Sequence, residues 1–549
     1  MNLDAIQAWL KNGFTDKWRL TFLAFAVTFA FFLLLDISYT AIQWDEITHL
    51  NGGMFLLRGN FEQYFSFNAF YPPMYDLLTA GFFGVAGISV FTGRLVAVIF
   101  SLLSLWVVFE FTYRMYGAKT ALLSSILLGV MPGYVWLSRM AMIETMLVFF
   151  FVVSALFFFY WLQTHKNKFL IFSGLALGLG ILTKYQLVIV GAIMITSMVF
   201  LGRGYLKKRL SRFPLLILTV VAIAVPWFIV SYQVYASGML ETWLYALSIG
   251  NPEKSLYSLR FGAWATPIFY LIEMTWPYSD AHPISLFLYA LGLAGLALFA
   301  WRRKPEDKYL LICFGVVYVF FTLIANKQWR YVLPIFPVLA ISAASLIVSA
   351  LSKAKKTLSN NQVSLNKKRL TQVAAGFLIA FTLVGVSYSV SDAYSWVAKD
   401  QIHIPIEEST KYVASNISPD ESIMVICAQN LFSQDMVRFY LYADGTKQNL
   451  VWQYPELPVD TYMPDFNITE FVGLCEARNV KYVFTYEFGG DVPYFNTTLS
   501  LMGVYQKLYD SGKFAHLSGN ALIEDLIKDG VIPAFGTNPR RIFILTFLG

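Results

Sequence analysis

Charged residues are scarce in this sequence: aspartate, glutamate, lysine and arginine make up 14% of the 549 residues, whereas soluble domains carry about 25%. Hydrophobic residues reach 57%. This composition excludes an ordinary soluble protein and indicates an integral membrane protein. Cysteine is also rare. Its three copies, Cys313, Cys427 and Cys475, exclude a disulfide scaffold or a cysteine-rich metal cluster.

Two kinds of local motif are missing. The sequence has no glycine-rich phosphate loop of the P-loop or Rossmann kind, which argues against a nucleotide-driven mechanism, and we expect no nucleic-acid partner. It also shows no cleavable signal peptide. The first apolar run, 20–35, follows Lys17 and Arg19 and lacks a clear small-residue cleavage site, so we interpret it as an uncleaved first helix.

Apolar stretches recur along the first 391 residues, and each is close to the length of about 20 residues that a bilayer requires. Eleven spans are predicted, near 20–38, 93–112, 119–137, 145–162, 169–183, 186–202, 213–232, 283–301, 309–324, 331–351 and 372–391. A twelfth apolar segment, 72–88, opens with two prolines and contains Asp76. We interpret it as an interfacial or re-entrant helix within a long first external loop, 39–92.

Lysine and arginine determine the predicted orientation. The amino-terminal segment and alternate loops hold 22 of them, while the opposite loops hold eight. The positive-inside rule therefore predicts a cytoplasmic amino terminus in a multi-pass protein, for which we expect the plasma membrane. Residues 1–391 are predicted to form a transmembrane catalytic domain. Residues 392–549 are predicted to form an external α/β domain, because strand-like runs such as 422–426, 482–484 and 542–545 alternate with helical stretches at 468–478 and 520–528.

The few ionisable residues at the outer ends of the spans form one group. The group comprises Asp45, Glu46, Arg139, Glu144, Lys184, Lys327 and Arg330. Ionisable residues near hydrocarbon are costly, so they suggest a site. Any single cation could instead be an interfacial anchor, and the acidic pair could lie in a solvated loop.

This arrangement suits transfer of a group from a lipid-phosphate donor to a hydroxyl acceptor. A carboxylate can take the proton of the hydroxyl. Cations can stabilise the charge that grows on the departing lipid phosphate. Aromatic residues nearby could stack on sugars, although aromatic residues are also common at membrane interfaces. The candidates are Trp44, Tyr64, Tyr71, Trp227, Trp243, Trp264 and Trp276.

Several segments of 20–345 resemble the GT-C superfamily of membrane glycosyltransferases, in particular protein O-mannosyltransferases and the aminoarabinose transferases that modify lipid A. Trp44-Asp45-Glu46 resembles their first-loop acidic motif, and Tyr71-Pro72-Pro73-Met74 resembles their Pro-Pro-Leu element. The segment 138–144 is similar to their second-loop arginine and acidic residue. Leu182-Thr183-Lys184 resembles a Thr-Lys-Gly element, and Arg330-Tyr331 an Arg-Tyr element before a late span.

The resemblance implies a glycosyltransferase that uses a polyprenyl- or dolichyl-phosphate-linked sugar on the outer membrane face, with inversion at the sugar. Asp45 is implied as the base, with Glu46 and Glu144 as further catalytic carboxylates. The implied donor-phosphate ligands are Arg139, Lys184, Lys327 and Arg330, and the implied substrate contacts are Trp44, Tyr71 and Tyr331. Three positions depart from the pattern: Tyr71 stands where aminoarabinose transferases have lysine, Tyr185 where glycine is usual, and Glu144 where aspartate is more common.

Several alternatives stay open at this stage. The pattern requires no cofactor, and we expect no metal site. A divalent metal held by Asp45, His49 and Glu144 is the alternative. The acceptor could be a protein, a lipid or a glycan. A non-catalytic lipid-binding or scaffold subunit, or a secondary transporter, would be the rival functions. A transporter would place its charges nearer mid-membrane and show paired repeats, and neither feature is evident.

Overall fold

The computed structural model describes residues 16–38, 40–67, 71–201, 210–236, 238–241, 244, 267–275, 282–324, 327–399, 404–426, 432–454, 466–486, 501–517 and 542–549. The chain forms two compact units. The first consists of Met1–Leu35, Asn68–Tyr75 and Arg94–Val397, and the second of Asp36–Phe67, Asp76–Gly93 and Ala398–Gly549. Our sequence-based division placed the whole first external loop with the transmembrane domain, whereas these units group most of that loop with the carboxy-terminal residues.

The first unit is helical. Its helices are Lys17–Leu34, Val90–Tyr116, Ala118–Gly129, Pro132–Ser138, Glu144–Thr164, Asn167–Ile181, Ile189–Leu201, Phe213–Tyr235, Phe269–Glu273, Leu286–Arg302, Pro305–Leu323, Phe336–Ser359 and Leu365–Lys399, with short 3-10 helices at Tyr185–Val188 and Trp329–Ile335. Each predicted span coincides with one of these helices or with a helix pair. Among the described residues, six helices are long and apolar enough to cross a membrane, or seven if a bent pair counts as one span. The number eleven therefore stays a prediction.

The third predicted span is the bent pair. The helices Ala118–Gly129 and Pro132–Ser138 meet at 70°. Pro132 explains the break, because proline offers no backbone N–H and disfavours a helical residue before it, and Met131 is indeed extended. The bend directs the chain into the segment 139–144, which carries two of the candidate site residues.

Close helix packing brings the fourth and fifth spans together at Gly180. A methyl group built on Gly180 would lie 2.9 Å from Cβ of Phe150 and would also overlap Leu187. The absent side chain thus allows the helix Asn167–Ile181 to approach the helix Glu144–Thr164 closely. This approach positions the residues that follow Gly180, including Lys184.

We therefore expect Gly180→Ala to destabilise the protein by about 1–3 kcal/mol, because the core here has no room for another carbon. Thermal unfolding of the purified protein would measure the change. Gly191→Ala is the matched control, since Gly191 also lies in an apolar helix but has no atom within 4 Å of the added carbon. Equal melting temperatures for the two variants would contradict the packing argument.

The second unit contains a five-stranded sheet in the order β2-β1-β3-β5-β4. The strands are β1 (Ser422–Ile426), β2 (Val451–Tyr454), β3 (Val480–Tyr486), β4 (Phe514–His516) and β5 (Ile542–Phe547). β1 runs parallel to β2 and β3, whereas β5 runs antiparallel to β3 and β4. The helices Ile406–Asn416, Gln434–Tyr442, Ile468–Ala477 and Leu501–Asp510 accompany the sheet. The α/β prediction is confirmed, and the predicted helical stretch 520–528 lies outside the described residues.

Helices of the segment 39–92 also belong to this unit: Trp44–Leu57, Phe61–Phe67 and, from Asp76 onward, Met74–Ala86. The side chain of Asn51 donates to the carbonyl of Asp435 (2.9 Å), and Arg58 donates to the carbonyl of Ala443 (2.8 Å). The first loop is therefore bonded directly to the helix Gln434–Tyr442 and to the residue that follows it.

Candidate active site

The predicted catalytic pair opens the helix Trp44–Leu57. Glu46 is fully buried, and its Oε2 accepts a hydrogen bond from the backbone N–H of Gln43 (3.2 Å). A carboxylate in the first turn satisfies an otherwise unpaired N–H and interacts favourably with the helix dipole. Asp45 occupies the preceding position and is half-buried. Glu46 thus stabilises the helix start, while Asp45 keeps partial access to solvent.

A buried polar network supports the same helix. Nδ1 of His49 lies 2.8 Å from Oδ1 of Asp76, and the hydroxyl of Tyr64 donates to Oδ2 of Asp76 (3.4 Å). His49 lies four residues after Asp45, on the same face of the helix. Sequence reasoning used Asp76 only to argue against a span. The signal it missed was a carboxylate inside an apolar segment, which requires a buried partner.

The structure gives no support in this region to the divalent metal considered for Asp45, His49 and Glu144. The Nδ1 atom of His49 is directed to Asp76. No group of three or more His, Cys, Asp or Glu side chains that could hold a metal ion is found among the residues that the structure describes.

In the first unit, a buried ion pair joins two predicted site residues. Glu144 is the first residue of the helix Glu144–Thr164, and Lys184 ends the turn before the 3-10 helix Tyr185–Val188. Nζ of Lys184 lies 3.1 Å from Oε1 of Glu144, with side-chain exposures of 16% and 2%. The lysine therefore retains access from outside, whereas the carboxylate is enclosed.

The late Arg-Tyr element joins this pair. Nζ of Lys184 lies 5.0 Å from the ring centre of Tyr331, and the guanidinium of Arg330 lies 5.8 Å from the same ring. Arg330 also donates to Oε1 of Gln328 (2.6 Å). The backbone N–H of Met74 donates to the carbonyl of Leu182 (2.9 Å). The Pro-Pro element, the lysine turn and the Arg-Tyr element are thus neighbours.

The remaining candidates have different environments. Nζ of Lys327 donates to the carbonyl of Ile324, and burial lowers the pKa of this ammonium group. Tyr71 is half-buried. Trp227 donates from Nε1 to the hydroxyl of Tyr185 (3.0 Å), the residue that replaces the usual glycine. The side chain of Trp44 and the residues Trp243, Trp264 and Trp276 lie outside the described part of the chain.

Arg139 stabilises a helix end. Its guanidinium donates to the carbonyls of Phe32 (3.2 Å), Leu33 (2.8 Å) and Leu35 (2.7 Å), at the carboxyl end of the helix Lys17–Leu34. Such carbonyls have no partner within the helix, and a cation there complements the helix dipole. The predicted contact of Arg139 with donor phosphate is not tested by these bonds.

We expect Arg139→Met to lower the free energy of unfolding by about 1.5–3 kcal/mol, the typical contribution of a hydrogen bond to a charged group. Thermal unfolding would measure this loss. Arg303→Met is a suitable control, because Arg303 donates to one carbonyl in an exposed setting. A normal melting temperature combined with a raised KM for the lipid donor would instead favour the phosphate role.

Part of the sequence is similar to known proteins. Residues 71–230 match the model of the dolichyl-phosphate-mannose-protein mannosyltransferase family. An uncharacterised protein of Aquifex aeolicus is 28% identical over 257 residues, which cover 45% of this chain and 46% of that protein, so the chain matches about half the length of this relative.

Two solved structures share the fold. ArnT from Cupriavidus metallidurans gives a TM-score of 0.55 at 14% identity, with 96% of this chain and 97% of that chain covered. The oligosaccharyltransferase of Archaeoglobus fulgidus gives a TM-score of 0.54 at 14% identity, with 86% and 70% covered. The predicted resemblance is confirmed, and the enzyme class of these proteins is the predicted one. The chain therefore has the fold of these two solved structures.

Proposed function

We propose that this protein transfers a sugar from a polyprenyl- or dolichyl-phosphate-linked donor to the hydroxyl group of an acceptor on the outer membrane face. The family model that matches 71–230 is named for a dolichyl-phosphate-mannose donor. ArnT has been solved with undecaprenyl phosphate bound, and the Archaeoglobus enzyme with a dolichol-phosphate. These ligands support a lipid-phosphate donor here.

The main support is the cluster of Glu144, Lys184, Arg330 and Tyr331. It carries two cations and one carboxylate, so an excess positive charge is available for an anion. Such cations act most strongly on the charge that develops as the bond between sugar and phosphate breaks. We assign donor-phosphate binding to Lys184 and Arg330, with Lys327 and Arg139 as further candidates.

The proposed reaction is a single displacement. The acceptor oxygen attacks the anomeric carbon, the bond from that carbon to the phosphate oxygen breaks, and its electron pair leaves with the lipid phosphate. The acceptor proton passes to the carboxylate of Asp45. Attack opposite the leaving group inverts the anomeric carbon. Glu46 fixes the helix that carries Asp45, Glu144 orients Lys184, and Trp44, Tyr71 and Tyr331 contact the substrates.

The test is transfer of a radiolabelled sugar from synthetic polyprenyl-phosphate donors by the purified protein. Peptide, lipid and glycan acceptors would be supplied separately. Labelled acceptor in any of the three reactions supports the proposal. Donor binding without transfer to any acceptor would favour a lipid-binding subunit, and movement of labelled sugar across proteoliposomes without transfer would favour a transporter.

A further inference from the structure

The second unit contains an open cavity of about 420 Å³. One wall comes from the first external loop, with Gln63 and Ser66. Other lining residues come from the helix Gln434–Tyr442 and from strand β2, with Gln434, Trp452 and Gln453. The volume lies within the range of about 300–1,000 Å³ that is typical of small-molecule sites.

Two polar side chains of the lining are available to a ligand. The side-chain amides of Gln63 and Gln434 make no hydrogen bond to another described residue. The guanidinium of Arg478 lies 4.3 Å from the ring centre of Trp452, which fixes the indole. Amide groups that line a cavity without a protein partner can bond to a polar ligand.

The cavity carries little net charge. Arg438 is the charged side chain among its described lining residues. Its Nη1 lies 3.0 Å from Oδ1 of Asp435, and its Nη2 donates to the carbonyl of Val451 (3.3 Å). The guanidinium is therefore already neutralised and bonded. This pairing disfavours a phosphate or another anion, which would require an unpaired cation.

We infer that this cavity binds a neutral saccharide that forms part of the acceptor. Each sugar hydroxyl can both donate and accept a hydrogen bond. The side-chain amide of glutamine donates two hydrogen bonds from its NH₂ group and accepts hydrogen bonds at its carbonyl oxygen, so it pairs well with neighbouring hydroxyls. The indole of Trp452 supplies a flat apolar surface. The acceptor role rests on the proposed function, whereas saccharide binding itself does not.

The first test is calorimetric titration of the full-length protein with mannobiose, cellobiose and chitobiose, with the tripeptide Ala-Thr-Ala as a comparison. The protein must be in a detergent without a sugar head group, since a maltoside would compete. We expect at least one disaccharide to bind. Gln434→Leu and Gln63→Leu should each weaken that binding at least tenfold. Gln506→Leu is the control, because Gln506 is exposed and bonds to Asp510 elsewhere in the unit.

The inference is overturned if no disaccharide binds, if both cavity variants bind as the wild type does, or if only the tripeptide binds and loses affinity in the variants. A second readout separates this inference from the proposed function. If transfer occurs, Gln434→Leu should raise KM for a glycan acceptor and leave kcat unchanged. Transfer with an unaltered KM overturns the acceptor role alone. Saccharide binding without any transfer overturns the proposed function and leaves the cavity assignment standing.

Discussion

Asp45→Asn is expected to lower the rate of sugar transfer by about 10²–10⁴-fold, the usual contribution of a positioned general base. Asparagine has nearly the shape of aspartate but cannot accept the acceptor proton. The side chain is half-buried in the first turn of its helix, so the change removes charge with little effect on packing. The measurement is single-turnover transfer at saturating donor, which isolates chemistry from donor binding.

Glu62→Gln is the matched control for this change. Glu62 is an exposed carboxylate in the first turn of the neighbouring helix Phe61–Phe67. We expect the Glu62→Gln variant to transfer sugar within about twofold of the wild-type rate. A surface substitution usually alters stability by less than about 0.5 kcal/mol, so the fraction of folded enzyme should not change. If Asp45→Asn transferred sugar as fast as Glu62→Gln, Asp45 would be excluded as the base and Glu144 would become the first candidate.

Lys184→Met is expected to have the second large effect, on both stability and donor binding. Glu144 is almost completely enclosed, and the change removes the ammonium group that lies 3.1 Å from it. Loss of one member of a buried ion pair typically costs about 3–5 kcal/mol. Thermal unfolding would measure the stability, and titration with undecaprenyl phosphate would measure the donor affinity.

The double variant Glu144→Gln with Lys184→Met separates the two effects. Removal of both charges should recover most of the stability, because no buried charge then lacks its counterion. Donor affinity should stay low, because the phosphate still lacks its cation. Lys411→Met is the control, since its pair with Glu407 is exposed and worth at most about 1 kcal/mol. A double variant that binds donor normally would remove Lys184 from the phosphate site.

The lengths of the hydrophobic segments predicted much of the fold. Each predicted span corresponds to a helix or a helix pair, and the strands Ser422–Ile426 and Ile542–Phe547 lie where strand-like apolar runs indicated them. The bend at Pro132 was not predicted, because the apolar run continues through it without interruption. Hydropathy reports the length of a segment but not its direction.

The site was predicted as a set of residues but not as a set of contacts. Sequence patterns identified Glu144 and Lys184 separately, and the pairing between them depends on close helix packing at Gly180. Arg139 looked equivalent to Lys184, yet it bonds to the end of the helix Lys17–Leu34. A charge near hydrocarbon requires a partner, but its choice of partner depends on tertiary structure.

The second unit is built from two distant parts of the chain, and this has a consequence for its folding during synthesis. Asn51 and Asp435 are bonded across 384 residues of chain. At a translation rate of about 5–20 residues per second, the first loop would wait roughly 20–80 s for that partner. During this interval Phe55, which later lines the cavity opposite Gln434, lacks its native neighbours. A recombinant fragment that starts at residue 398 would correspondingly lack the cavity residues of the first loop, so folding studies of the second unit need to include that loop.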